Sequence, residues 1–310
     1  MKKSLLCFLL TAILCLSACG TPADHPSDGM TFTDDLGRTV TLPEKPKRVA
    51  AMIGSFADVW CLAGGEDTLV AAADDTWTQF DLDLDDSVIH LGGVKEPSLE
   101  ILLSAEPDLV IGSTHTAANV KLASTLEDMG IPALYFDVSS FPDYLRMLKI
   151  CTQITGNSEA YQTYGLDLQD EIDTAVARAD GSRPSVLYIR ATGSSCKVKN
   201  SEGTVLGEML ASLDCENIAD SETGLLENLS METILAADPD YIFVILQGSD
   251  DTDAQKMLNQ TLLSNPAWDG LTAVQQGRFH ILDQKLYNLK PNAQWGKAYE
   301  QLAEILYNAS

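Results

Sequence analysis

The chain is poor in cations. It has 20 Lys and Arg residues against 45 Asp and Glu residues, which gives a formal net charge of −25 at pH 7. A field of this sign repels nucleic acid and anionic membrane surfaces, so neither is an expected partner. Any pocket that binds an anion must therefore use a few locally placed cations against an unfavourable background.

Metal-binding and catalytic motifs are also scarce. No CxxC pair occurs and the four histidines are scattered, so we expect no bound metal and no cofactor. A receptor for bare zinc or manganese would need a compact set of nitrogen and oxygen ligands, and this remains the less favoured alternative. The sequence has neither a nucleophile elbow nor a glycine-rich phosphate loop, which argues against an enzyme. Cys196 and Cys215 either pair in an oxidising compartment or stay free, because spacing alone does not decide.

A long apolar run occurs only at the N-terminus. Two lysines precede the apolar residues 5–16, and the run ends in Leu16-Ser17-Ala18-Cys19. This pattern predicts an export signal over residues 1–18, too short to be a spanning helix. Its ending resembles a bacterial lipobox, so Cys19 is the predicted lipidation site; an ordinary signal peptide with an incidental cysteine is the alternative. The membrane would then be contacted only through the lipid anchor.

The residues after the signal divide by composition. Residues 19–30 are rich in Pro, Asp, Ser and Gly and predict a flexible, lipid-anchored tether. The remaining 280 or so residues exceed one comfortable hydrophobic core and fit two lobes of ordinary domain size.

A fourteen-residue segment occurs twice. Residues 98–111 return as residues 230–243, with six identical positions. Each copy predicts a short helix opened by a capping Ser, a Pro-Asp turn and a buried strand. Glu100 and Glu232 lie in the first helical turns, where the helix dipole favours negative charge. A repeat at this separation indicates two similar lobes, a cleft between them and one glutamate at a matching place on each lobe.

Strands alternate with helices on both sides of one long helical pattern. Residues 31–156 predict an N-terminal α/β lobe that begins with a hairpin, and residues 181–310 predict a C-terminal α/β lobe. Residues 157–180 predict a linker helix, whose roughly 33 Å length would reach from lobe to lobe. The predicted fold class is therefore α/β, with mainly parallel sheets, a single linker helix and a ligand cleft between the lobes.

Several motifs occur together in this chain. They are Cys19, Asp35-Leu36-Gly37-Arg38, Pro46-Lys47-Arg48-Val49, the duplicated Glu…Pro-Asp segment, Thr155-Gly156 and Glu216-Asn217-Ile218. In this combination the chain resembles the substrate-binding lipoproteins of ABC importers for iron complexes, haem and cobalamin, and the resemblance covers essentially the whole mature chain. It implies a non-catalytic, extracytoplasmic, lipid-anchored receptor that captures a ferric siderophore or haem and delivers it to a membrane permease. A cobalamin or other corrinoid is the alternative cargo, and an enzyme on the same scaffold is a further alternative.

The resemblance also implies a partner surface. In that family, glutamates on the two lobes pair with arginines of the permease, and motif matching carries this role to Glu100 and Glu232. The alternative is that each glutamate only stabilises the start of its helix, which is worth about 0.3–1 kcal/mol. We expect the receptor to be a monomer with small hinge motion, because a helix resists bending more than crossing strands do.

Ligands of open α/β lobes bind beyond the carboxyl ends of the strands. That rule nominates eight residues as ligand-binding: Ser55, Thr76, Trp77, His115, Arg190, Lys199, Asn200 and Tyr287. Trp77 is the best candidate for stacking on a flat chelate, or else a loop residue that holds its own segment in place. Arg190, predicted to end a strand, suits carboxylate or catecholate oxygens, or alternatively an ion pair within the protein. His115 is a candidate iron or chelate ligand, or else a solvated loop residue.

Overall fold

The structure is a computed structural model that describes residues 29–80, 82–248 and 251–307. The predicted signal segment, Cys19 and nearly all of the predicted tether lie outside these residues. No helix within the described ranges is long and apolar enough to cross a membrane.

An antiparallel hairpin of β1 (Met30–Thr33) and β2 (Thr39–Leu42) begins the described chain. Buried Asp34 stabilises its turn by accepting backbone N–H bonds from Leu36 and Arg38. The Arg38 guanidinium donates to the Ala133 carbonyl at 2.8 Å and lies over the Tyr135 ring. The hairpin is thereby held against one edge of the first sheet.

The first sheet contains five parallel strands in the order β5-β4-β3-β6-β7. The strands are β3 (Val49–Ala51), β4 (Leu69–Ala72), β5 (Ile89–His90), β6 (Leu109–Ser113) and β7 (Ala133–Phe136). The helices are α1 (Gly54–Leu62), α2 (Asp75–Thr78), α3 (Leu99–Ser104), α4 (Ala117–Asp128) and α5 (Phe141–Thr155), with a 3-10 turn at Glu66–Thr68.

The segment that joins the lobes is helical but not uniform. It consists of α6 (Ser158–Tyr161), a π-helical turn (Gln162–Leu166) and α7 (Asp167–Val176), so the predicted helix is present with a wider turn inside it. Gly165 lies in that turn, and a Cβ atom there would approach the Leu145 side chain of α5 to 2.8 Å. The missing side chain lets α5 pack closely on the linker, a feature that apolar periodicity does not reveal.

The second sheet has the order β10-β8-β11-β12, with β9 antiparallel on β8 and the other pairings parallel. The strands are β8 (Ser185–Thr192), β9 (Ser195–Lys199), β10 (Glu216–Asn217), β11 (Tyr241–Gln247) and β12 (Phe279–Leu282). The helices are α8 (Val205–Ser212), α9 (Ile218–Ser221), α10 (Gly224–Glu227), α11 (Met231–Ala237), α12 (Thr252–Leu258), α13 (Thr272–Gln275), α14 (Gln284–Tyr287) and α15 (Trp295–Tyr307). A π turn lies at Asn259–Leu263, and 3-10 turns lie at Trp268–Gly270 and Asn292–Gln294. The predicted α/β class with two mainly parallel sheets is confirmed.

The two copies of the duplicated segment have the same local structure. Ser98 and Ser230 cap α3 and α11 by accepting a backbone N–H bond three residues ahead. Both helices are followed by a non-glycine residue with left-handed backbone, Glu106 at φ 45° and Asp238 at φ 39°. The repeat therefore extends to an uncommon backbone conformation that the sequence pattern alone did not indicate.

The aspartate of each Pro-Asp turn fixes the start of the neighbouring strand. Asp108 accepts the backbone N–H bonds of Lys47 and Arg48, directly before β3. Asp240 accepts both the N–H and the hydroxyl bond of Ser185, the first residue of β8, at 2.8 Å each. In both lobes, the aspartate of the Pro-Asp turn thus holds the start of a neighbouring strand by hydrogen bonds. This shared role explains why both copies of the segment contain the aspartate.

The C-terminal helix also connects the lobes. Trp295 at the start of α15 packs against Phe141 and Tyr144 of α5, with ring centroids 5.9 and 6.2 Å apart. Arg178, just after α7, pairs with Glu300 of α15 at 2.5 Å. One continuous hydrophobic cluster includes residues from both sheets and these helices. The lobes are therefore held together by more than the linker.

Candidate ligand-binding cleft

A cavity of about 260 Å³ lies between the lobes. His115 and Ser139 line it from the first lobe, and Arg190, Thr204 and Lys290 line it from the second. His115 follows β6, so the cavity reaches the carboxyl edge of the first sheet, as the strand-end rule predicts.

Two half-buried cationic residues, Arg190 and Lys290, line this cavity. The Arg190 guanidinium donates from Nη2 to the Tyr188 hydroxyl at 3.1 Å, whereas its Nε is buried and has no partner among the described residues. Burial lowers the pKa of Lys290 to about 8; nearby Arg190 also lowers it, while Asp137 and Asp75 act in the opposite direction. An anion bound here would offset the repulsion between the two cations and stabilise the charged form of the lysine.

Arg190 does not end its strand. Strand β8 continues to Thr192, whose hydroxyl accepts N–H bonds from Ser194 and Ser195 and so closes a tight turn into β9. This turn, which sequence periodicity missed, pairs Arg190 with Lys197 on the antiparallel strand. The hairpin therefore gathers cations around Arg190.

Lys199 and Asn200 end that hairpin. Burial, followed by nearby Arg190 and Lys197, lowers the pKa of Lys199, which is consistent with a local excess of positive charge. Asn200 is half-buried, and its carbonyl lies close enough to Gly207 to exclude a Cβ atom there. Neither residue lines the 260 Å³ cavity, although Lys199 contributes to its field.

His115 is held in place by a carboxylate. Its Nε2 contacts Oδ1 of Asp137, which follows β7. The Asp137 backbone N–H donates to Asp35 of the hairpin turn at 2.7 Å, and Arg146 donates to the same Asp35 oxygen at 2.8 Å. The imidazole is thus fixed in orientation at the cavity wall by a network that begins in the N-terminal hairpin.

Trp77 lies outside the cavity lining and is already stacked. Its ring is 3.8 Å from that of His90, with a 15° interplanar angle, and His90 Nδ1 lies 3.0 Å from Oδ1 of Asp74. One face of the indole is therefore covered by the imidazole. A ligand could stack only on the opposite face.

Ser55 and Thr76 do not line the cavity. Both are buried, and neither hydroxyl has a hydrogen-bond partner among the described residues. Between them, the Gly54 N–H donates to Asp75 Oδ1 at 2.9 Å. Burial raises the pKa of Asp75 to about 6, and its charge acts on Lys290. Of this group, only Asp75 is shown to act on the cavity, through its charge on Lys290.

Tyr287 lies in the hydrophobic core. It is 2% exposed, and its hydroxyl donates to the Ala298 carbonyl of α15 at 3.1 Å. The short helix α14 directs this side chain towards α15, so the predicted ligand role has no surface to act through. The cavity is reached instead by Asn288 and Lys290, which belong to the same segment, Tyr287 to Lys290, that the strand-end rule nominates.

Glu100 and Glu232 are exposed in the first turns of α3 and α11. Neither side chain forms a hydrogen bond or ion pair with another described residue. Each helix leads into a parallel strand, so its first turn lies nearer the carboxyl edge than its last. Both carboxylates are therefore available on the side of the sheets that bears the cleft.

Comparison with known proteins identifies the family. The model of the periplasmic binding protein family matches residues 49–286, and the chain belongs to this family, as the motif combination predicted. The Fe(3+)-citrate-binding protein YfmC of Bacillus subtilis is 27% identical over 89% of this chain and 87% of its own. YhfQ of the same organism, whose name provisionally describes an ABC transporter substrate-binding lipoprotein, is 26% identical over 94% of this chain and 93% of its own.

A solved structure shares the fold. SirA of Staphylococcus aureus, complexed with staphyloferrin B, superposes with a TM-score of 0.69 at 23% identity. The match covers 90% of this chain and 97% of SirA.

Proposed function

We propose that this protein is the non-catalytic receptor of an ABC importer and that it captures an iron complex, a ferric siderophore or haem, between its lobes. The family membership and the relatives' names support the receptor role. The main support for this type of cargo is that Arg190 and Lys290 line the same interlobe cavity. The chain as a whole has a net charge of −25. When two cations of so acidic a chain lie half-buried in one cavity wall, an anionic ligand explains them best.

The favoured cargo within this class is a ferric complex of a carboxylate chelator. A guanidinium binds a carboxylate through two parallel hydrogen bonds, and an ammonium adds a compact charge. The relative YfmC is named for ferric citrate, which has this chemistry. A flat haem would find no Trp, Tyr or Phe side chain among the described residues that line this cavity, and Trp77 lies outside it, stacked on His90.

A thermal-shift panel tests this function. Ferric citrate at about 100 times its Kd should stabilise the protein by about 2.7 kcal/mol, which raises the Tm by about 5–10 °C for a chain of this size. Iron-free citrate is the control for binding of the chelator alone. A shift with hemin alone would move the cargo to haem, whereas a shift with cobalamin or a bare metal ion alone would contradict an iron-complex receptor.

The partner is a membrane permease, contacted through Glu100 and Glu232. One unpaired, exposed carboxylate at an equivalent place on each lobe can set both the orientation and the association rate of docking. The receptor works as a monomer in this arrangement, since each copy already carries both carboxylates.

The receptor is lipid-anchored outside the cytoplasm through Cys19. The lipobox-like ending of the signal and the lipoprotein name of YhfQ support this site. Cys19→Ser should move the protein from the membrane fraction to the soluble fraction and abolish labelling with a radioactive fatty acid. Cys61→Ser, which changes a free thiol in α1, is the matched control. Unchanged membrane association and labelling of Cys19→Ser would rule the anchor out.

A further inference from the structure

The segment between α14 and α15 runs from the cleft to the contact between the lobes. Lys290 lines the cavity at one end of the segment. Two residues later, buried Asn292 donates from Nδ2 to the Ser55 carbonyl at 2.8 Å and to Asp58 Oδ2 at 2.7 Å. Both acceptors belong to α1 of the first lobe, so this segment of the second lobe is tied to the first.

Asn292 retains two unfavourable features in this position. Its backbone is left-handed at φ 51°, and its Oδ1 is buried without a partner among the described residues. Asn tolerates this backbone region better than most residues, yet neither feature favours folding. Their persistence points to a role for the amide contact.

The acceptor strengthens that contact. Burial raises the pKa of Asp58, and the hydrogen bond from Asn292 partly opposes the rise. A hydrogen bond to a carboxylate in a buried site is stronger than one between neutral groups. Asn292 is therefore a firm attachment to α1.

Pro291 links this attachment to the cleft. Its ring fixes its own φ near −65° and restricts Lys290 before it to extended backbone. Because the backbone between them has little conformational freedom, the position of Asn292 largely determines the position of Lys290.

We propose that Asn292 is a positioning residue, which binds α1 through its amide and thereby holds the Lys290 ammonium in the interlobe cavity. The claim that Lys290 binds the ligand rests on the proposed function. The claim that Asn292 holds Lys290 in place does not depend on that function. Charged or titratable groups face Lys290 from each neighbouring element: Arg190 on β8, Asp137 after β7, His115 after β6, Asp75 on α2, and Asp58 and Lys285 beside an adjoining cavity.

The test uses Asn292→Gly, which accepts the left-handed backbone and removes the amide. The ligand-free protein is labelled with trace acetic anhydride over a pH series, and acetylation of Lys290 is followed by mass spectrometry. The wild-type midpoint should fall near the Lys290 pKa of about 8. Release of the segment should hydrate the ammonium and raise the midpoint by about one pH unit or more, towards the ordinary lysine value. Ferric citrate affinity at pH 7 should fall about tenfold, because the cation is no longer held in the cavity.

Gln294→Ala is the matched control, because it removes an exposed amide from the same segment, and it should leave the midpoint unchanged. If Asn292→Gly does not fold, Pro291→Gly, which loosens the link instead, should raise the midpoint in the same direction. An unchanged midpoint in the folded variant would overturn the positioning role. If Lys290→Met leaves ferric citrate affinity unchanged, the proposed cargo site fails, but the labelling result still decides on Asn292.

Discussion

Replacement of both Glu100 and Glu232 by alanine is expected to abolish uptake by cells while leaving the ligand affinity of the purified receptor unchanged. Neither carboxylate lines the cavity, and neither is paired with another described residue. Both are free to meet cations of a permease, one from each lobe. Each single variant should lower uptake by about tenfold or more, since loss of one interfacial charge leaves its partner unpaired.

The receptor itself should remain folded in the double variant. Ser98 and Ser230 still cap the two helices, and loss of a first-turn carboxylate costs only about 0.3–1 kcal/mol. Transport of radioactive ferric citrate and calorimetric affinity are the two measurements.

Glu127→Ala with Glu304→Ala provides the matched control for the docking prediction. It removes the same net charge from exposed positions of α4 and α15, and transport should stay at the wild-type level. Normal transport by the Glu100 and Glu232 double variant would refute the docking role. A loss of affinity in that variant would instead show that these residues serve the cleft.

The fold was predictable because its signals are local and repeated. The capping serines, the Pro-Asp turns and the alternation of strands and helices each depend on a few neighbouring residues. The π turn at Gln162–Leu166 was missed because it depends on the contact of Gly165 with α5, which is distant in sequence. The β8–β9 hairpin was missed because polar Thr192 to Ser195 looks like a loop until the turn hydrogen bonds are known.

The site was predictable only where topology alone decides the position of a residue. His115 follows a parallel strand, and it reaches the cavity. Tyr287 and Lys290 lie only three residues apart, yet Tyr287 is buried in the core and Lys290 lines the cavity. The path of their segment between the two lobes determines this difference, and that path depends on contacts that are distant in sequence. The usable signal for Lys290 was its charge, a cation directly before a proline in a chain that has few cations.

Ferric citrate affinity is expected to fall as the pH rises through about 8, by about tenfold between pH 7 and pH 9. Burial depresses the pKa of Lys290 to about 8, so most of its positive charge is lost over this interval. The contribution of Lys290 to the stability of the ligand-free protein should change in the opposite direction and increase with pH. The unfolded lysine titrates near 10.5 and holds more protons than the folded one between pH 8 and pH 10.5, so stability rises with pH there.

Lys290→Met should remove this alkaline loss of affinity, whereas Lys297→Met, at an exposed position of α15, should retain it. Arg190→Ala should weaken binding by about 10- to 100-fold at every pH between 6 and 9, because a guanidinium stays charged throughout and a charged hydrogen bond is worth about 1.5–3 kcal/mol. Arg183→Ala, which removes an exposed arginine outside the cavity, is its control. Calorimetric titrations across this pH range measure all four variants. A wild-type affinity that does not change from pH 7 to pH 9 would exclude Lys290 as a ligand-binding cation, and Arg190 would then have to bind the anion alone.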